Sequence, residues 1–246
     1  MQSGATRSAQ AASGAWFTLV ILCLVYALNF LDRQLLSILA KPIQDDLHLT
    51  DGQLGRITGF YFALFYCLIS IPIGWLADRT NRVRVLCLSC ALWSAATTAC
   101  GFARSYPQLV IARMTVGIGE AGGVPPSYAI ISDYFPAGTR GTALGIYNLG
   151  PPIGQALGIA FGASIAAAYS WRDAFLALGG AGILMAFIVF ICVREPIRGG
   201  LDTACMISRN GPARFRVNGP TLHGLPAEPR FESFTRPFSS RQVFGL

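Results

Sequence analysis

The sequence predicts an all-α membrane protein in which six helices span the bilayer and a polar tail follows them. Three observations carry that expectation. Hydrophobic residues fill 53% of the 246 positions and charged residues only 13%, and mean hydropathy is positive; that is too little charge to cover a soluble domain of this length. Six apolar runs occur, each approaching or exceeding the roughly 20 residues a helix needs to cross the hydrocarbon core. Arginines collect in the segments between the runs, and the composition changes after Gly200.

The first run, Trp16 to Leu31, is uncharged and continues through further apolar residues to Leu39. A secretory signal has a shorter core ending in a small-residue cleavage site, whereas this run leads into Asp32-Arg33, so it reads as a retained span. Residues 1–15 read as a cytoplasmic amino-terminal segment. Ile57 to Ala77 is the second uncharged run and Val85 to Ala103 the third. Leu109 to Ser132 is the fourth, interrupted only by Arg113 and Glu120. Gly141 to Trp171 and Ala174 to Val193 supply the fifth and sixth. The six-helix unit is therefore expected over residues 16–198.

The connecting segments set an orientation. With a cytoplasmic amino terminus, the inside segments hold Arg7, Arg79, Arg82, Arg84, Arg140, Arg194 and Arg198. The outside segments hold Lys41, Arg56, Arg104 and Arg172. Seven against four favours that orientation, and the densest cluster lies in a short loop, where the positive-inside rule is strongest. Both termini are then cytoplasmic and the expected location is the inner (plasma) membrane. Residues 199–246, rich in Pro, Arg, Ser and Phe, show no span and no periodic apolar face, so they are expected to be a disordered or aberrant cytoplasmic tail.

The formal charge of +7 does not indicate a nucleic-acid partner, because the arginines lie between apolar runs and in the tail and form no basic stripe. Cys87 and Cys90 have CxxC spacing but no second pair and no neighbouring His. Like Cys23, Cys67, Cys100 and Cys192 they lie in apolar runs, where a thiol behaves as a small hydrophobe. His48 and His223 are isolated, so no metal or cofactor is expected. No nucleophile–base pair emerges either, and an enzyme is not expected.

The loop after the second run reads Gly74-Trp-Leu-Ala-Asp78-Arg79-Thr-Asn81-Arg82-Val-Arg84. It resembles the signature loop between helices 2 and 3 of the major facilitator superfamily, with Asn81 where Gly is usual; Asn also tolerates a turn. Arg113-Met-Thr-Val-Gly117-Ile-Gly119-Glu120 resembles that family's fourth-helix motif. Tyr26-Ala-Leu-Asn29-Phe-Leu-Asp32-Arg33, Leu54-Gly55, Phe65-Tyr66, Ile71-Pro72-Ile-Gly74 and Glu120-Ala-Gly are similar to the spinster-like branch, although anion:cation symporters share several of these strings. The resemblance covers about residues 20 to 198 and implies the amino-terminal half of the superfamily fold. It implies a cytoplasmic gate loop of Gly74, Asp78, Arg79 and Arg82, in which Asp78 accepts bonds at a helix start and clamps the gate. In the fifth run, Gly150, Pro151, Pro152, Gly154 and Gly158 are expected to act in helix packing and as a hinge: glycines four apart line one face and admit a neighbouring helix, and the proline pair bends the backbone.

Asp32, Arg33, Arg113 and Glu120 are the ionisable residues expected at membrane depth, where a charge must face a cavity or another charge. Arg113 and Glu120, seven apart, share one helix face, while Asp32 and Arg33 diverge by about 100°. Facing helices would then pair Asp32 with Arg113 and Arg33 with Glu120. Such pairs serve either as structural ties or as a proton-coupling device. Burial raises an acid's pKa and a nearby arginine lowers it, so displacing the arginine changes whether the acid holds a proton. The resemblance implies the coupling role.

Two function classes follow. One is a proton-coupled, alternating-access carrier of an amphipathic or anionic organic solute, such as a lysolipid-like molecule, with organic anion:cation symport as the alternative substrate class. The other is a non-transporting remnant or membrane assembly partner. A complete carrier of this family has two six-helix halves with the solute site between them, so the expected partners are lipid, solute, protons, and either a second half or another copy of the chain.

Overall fold

The computed structural model describes residues 2–199, and every regular element among them is helical. Helix α1 (Gln2–Ile38) is followed by the short α2 (Ala40–Leu47) and α3 (Asp51–Gly55). A π-helical stretch, Arg56–Tyr61, joins α3 to α4 (Phe62–Arg79), so that Asp51–Arg79 forms one rod. Then come α5 (Arg82–Gly101), α6 (Tyr106–Ala121), α7 (Val124–Tyr134), α8 (Ala137–Tyr147), α9 (Gly150–Ala168) and α10 (Trp171–Cys192).

Local chemistry sets these boundaries. Thr50 and Gln53 form a reciprocal capping box ahead of α3, and Ser170 and Asp173 do the same ahead of α10. Asn81 accepts from the Arg84 N–H at 2.8 Å and starts α5. After α2 the chain reverses at His48, which takes a left-handed conformation with φ 51°. Helix α1 begins at Gln2, well before the apolar run at Trp16. The leading segment is rich in Ala, a good helix former, and extends the helix ahead of the span at Gly14–Ile38. At 1.5 Å per residue the whole helix is about 55 Å long, more than the hydrocarbon core requires.

Four stretches are individually long and apolar enough to cross a membrane: Gly14–Ile38, Asp51–Arg79, Arg82–Gly101 and Trp171–Cys192. The fourth and fifth apolar runs fold as broken pairs. The break between α6 and α7 falls at Gly122-Gly123, with prolines in the first turn of α7. That between α8 and α9 falls at Asn148-Leu149, with Pro151 and Pro152 in the first turn of α9. Proline is tolerated there because first-turn N–H groups have no helical acceptor. The tail expected beyond Gly199 lies outside the described residues.

Helix α1 packs along α9, α5 packs along α10 and α6, and α6 in turn carries α4. Leu22, Leu35, Leu86, Leu109, Ile130 and Phe175 are among the fully buried core side chains. Polar ties close both ends of the bundle. At one end Arg172 reaches Asp46 at 2.6 Å and the Ala103 carbonyl at 3.1 Å. At the other, Arg82 pairs with Asp133, and Arg198 donates to the carbonyls of Asp78 and Thr80.

Candidate functional site

The charged residues of the apolar runs meet in the middle of the bundle. Asp32 on α1 is fully buried, and Arg113 and Glu120 on α6 are 2% and 1% exposed. Arg113 Nη1 donates to Asp32 Oδ2 at 2.7 Å, and Thr97 Oγ1 from α5 donates to Asp32 Oδ1 at 3.1 Å. Arg33 Nε donates to Glu120 Oε2, also at 2.7 Å. The pairs follow from helical phase: Asp32 and Arg33 leave α1 in different directions, and each meets one of two α6 residues that lie two turns apart. Charge-assisted bonds of this length are the strong kind, and they offset part of the cost of holding ions at this depth.

Aromatic rings complete both pairs. The Arg33 guanidinium lies 4.9 Å from the ring centroids of Phe30, Phe62 and Tyr66. Arg113 lies 5.2 Å from Phe175 on α10. Ring faces stabilise a cation where water is scarce. Five helices (α1, α4, α5, α6 and α10) therefore contribute to one cluster.

A cavity of about 270 Å³ opens beside it, lined by Arg33, Gln34, Ser37, Thr58, Phe62 and Arg113 among others. Arg33 keeps 29% of its side chain exposed, so its charge faces open space as well as Glu120. The π-helical stretch contributes Thr58 and Ile57 to the wall; an extra residue per turn re-aims side chains, and such turns recur at functional sites. The cavity offers two guanidinium groups, hydroxyls and an aromatic ring, which suits an anionic group attached to an apolar body.

The fifth-run glycines lie along α1. A Cβ at Gly154 would sit 2.1 Å from the Ala27 carbonyl oxygen; one at Gly150 would meet the Cys23 carbonyl at 3.0 Å and one at Gly158 the Gln34 Cβ at 2.9 Å. Pro151 and Pro152 are at the broken junction just described. These residues bring α9 against α1 and lie apart from the charged cluster's own contacts.

The gate-loop residues do not converge. Arg82 pairs with Asp133, Arg79 lies 4.3 Å over the Trp75 ring, and a Cβ at Gly74 would meet nothing from another helix within 4 Å. Asp78 does not serve the start of α5. It is exposed in the last turn of α4, and its carboxylate meets no partner among the described residues. The start of α5 is served by Asn81 and by Glu195, whose Oε2 accepts from Val83 N–H at 2.9 Å. Asp78 precedes the cap position by three residues, so it belongs to the end of one helix and not to the beginning of the next.

Thr97, Phe175 and the Phe30–Phe62–Tyr66 cage join the cluster from other helices, and sequence reading did not assign them to it. Phe65-Tyr66 stood out as a string without a contact to explain it. Thr97, in an otherwise apolar stretch of α5, was the available signal for a buried hydrogen-bond donor.

The sequence model of the Major Facilitator Superfamily matches residues 22–217. The chain is 34% identical over 179 residues to an MFS-type efflux pump of Mycolicibacterium smegmatis, covering 73% of this chain and 42% of that protein. It is 34% identical over 163 residues to a probable sulfoacetate transporter of Cupriavidus necator, covering 66% and 38%. In structure it is similar to a bacterial homologue of the human lysosomal transporter Spinster, crystallised inward-facing and occupied. That comparison has a TM-score of 0.74 at 37% identity and covers 78% of this chain and 47% of that one. The chain thus spans less than half the length of these relatives.

Proposed function

The chain belongs to the major facilitator superfamily, in its spinster-like branch, and on that premise we propose that it forms the proton-coupling half of an alternating-access carrier of organic anions or anionic amphiphiles. Its helices are the amino-terminal half of that fold. The observation that carries the reading is the pair of buried carboxylate–arginine contacts, Asp32 with Arg113 and Glu120 with Arg33, beside a cavity that Arg33 also faces. An arginine shared between a carboxylate and a solute anion links the two: when the solute draws Arg33 away, Glu120 loses its counter-charge and protonation becomes favourable. The sulfoacetate assignment of one relative supports an anionic solute, and the Phe62 ring and apolar residues in the wall of the cavity beside Arg33 suit a solute with an apolar body.

Glu120→Gln tests the coupling. The amide keeps shape and hydrogen bonding but carries no exchangeable charge. In reconstituted vesicles, transport driven by a proton gradient should be abolished while insertion and solute exchange persist. Proton-driven rates equal to the native chain's would make Glu120 structural. Absence of solute movement under any gradient would leave the non-transporting, assembly-partner reading in its place.

The same proposal sets the chain in the inner membrane with both termini cytoplasmic, which the loop arginines support. Asp46 and Thr80 are exposed at opposite ends of the bundle. In a background with the native cysteines replaced, a membrane-impermeant thiol reagent added outside should label cysteine at position 46 and not at position 80. The reverse pattern would invert the orientation.

A further inference from the structure

Besides Arg113 Nε and Nη2 within the cluster, three buried polar atoms beside it have no hydrogen-bond partner among the described residues: Asn29 Oδ1 on α1, Trp93 Nε1 on α5 and Glu120 Oε1 on α6. Their residues are 5%, 3% and 1% exposed. All three line one small cavity of about 10 Å³, whose remaining wall is mostly apolar and includes Val25, Leu86 and Val124. Leaving a buried polar group unsatisfied is costly, so three around a single void are not accounted for by packing. The wall beside Gly119 is tight: a Cβ there would lie 2.5 Å from the Trp93 backbone nitrogen, so α5 and α6 touch through their main chains.

We infer that this cavity is a binding site for one water molecule, which accepts from Trp93 Nε1–H and donates to Asn29 Oδ1 and Glu120 Oε1. The inventory matches water and little else. A metal cation would be opposed by the indole N–H, and an anion by the two oxygen acceptors. A void of this size is at the lower limit for one water, and the three partners are the usual number for a buried one. The site also tolerates both states of Glu120. Water donates to the carboxylate, and by rotating it accepts from the carboxylic acid, which a fixed protein donor cannot do. Resting on the coupling reading above, this water keeps Glu120 Oε1 hydrogen-bonded in both of its protonation states.

The test uses the whole chain in lipid nanodiscs with ¹⁵N-labelled tryptophan. The sequence has four tryptophans, and the Trp93 indole signal is assigned by its loss in Trp93→Phe. A rotating-frame Overhauser effect from water to the Trp93 indole proton, whose sign separates it from exchange, should appear in the native chain. It should persist in Glu120→Gln and vanish in Asn29→Leu, which fills the void and removes an acceptor, with the other indole signals unmoved. No effect in the native chain, or an undiminished one in Asn29→Leu, would overturn the site. Because the measurement needs no transport, loss of proton coupling in Glu120→Gln and loss of the water are read separately.

Discussion

Two rods of comparable apolarity have opposite fates in this bundle. Half of the most apolar stretch of α1 is buried against other helices, whereas only 6% of the corresponding stretch of Asp51–Arg79 is. Yet α1 is the one that carries Asp32 and Arg33, while no charge occurs between Ile57 and Ala77. On α1 the buried side chains include Thr18, Asn29 and Asp32; on α4 Leu64, Leu68, Ile71 and Trp75 are exposed. Lipid is as apolar as leucine, so hydrophobicity decides that a helix enters the membrane but not which helix it packs on. Polar side chains and close backbone approaches decide that, because each has a partner only inside protein.

The comparison breaks most sharply at α1's ion pair. Arg113→Met leaves the Asp32 carboxylate buried with only Thr97 to donate to it. The expected cost is about 3–5 kcal/mol, the usual penalty for stranding one partner of a buried pair. Combining it with Asp32→Leu should recover most of that loss. Unfolding of the purified chain in mixed detergent measures both. A single variant as stable as the native chain would mean that the pair contributes nothing to holding α1 in place.

A smaller effect is expected where α9 meets α1. Gly154→Ala places a methyl group 2.1 Å from the Ala27 carbonyl oxygen, and backbone on both sides cannot yield as a flexible side chain does. Overpacking of this kind costs about 1–3 kcal/mol. A crosslink between cysteines placed across α1 and α9 should slow in parallel. An unchanged crosslinking rate would show that the helices approach through other residues.

Much of this was legible in the sequence, for physical reasons that also mark the limit. Four of the six apolar runs fold as unbroken stretches long enough to cross a bilayer, which imposes one length on any helix that spans it; the fourth and fifth fold as broken pairs. The pairing of Asp32 with Arg113 and Arg33 with Glu120 follows from helical phase and the high cost of an unpaired charge at this depth. What escaped depends on neighbours distant in sequence. The Phe62 and Tyr66 rings reach Arg33 because α4 lies beside α6, which no local period encodes. The π-helical stretch at Arg56–Tyr61 has no composition that distinguishes it from ordinary helix. At the Gly122-Gly123 break, a Cβ on Gly122 would meet the Ser89 side chain of α5, a contact that sequence does not encode. Glu195 caps α5 from 112 residues away, a partner that no local spacing points to.

The smallest expected effect completes the comparison from the other rod. Gly74 lies within α4, and a Cβ there would meet nothing within 4 Å. Glycine in a helix interior costs about 0.5–1 kcal/mol relative to alanine, because the unfolded chain has more conformations to lose. Gly74→Ala should therefore leave the chain as stable as before or raise its stability by up to that amount, in the same detergent assay that registers a loss for Gly154→Ala. Both substitutions add one methyl group to a helical glycine in an apolar run. Only the neighbour differs: a carbonyl oxygen at Gly154, open space at Gly74. A loss at Gly74 matching that at Gly154 would show that this face of α4 is packed against protein in the membrane. The contrast between the two rods would then belong to the isolated half-bundle and not to the protein at work.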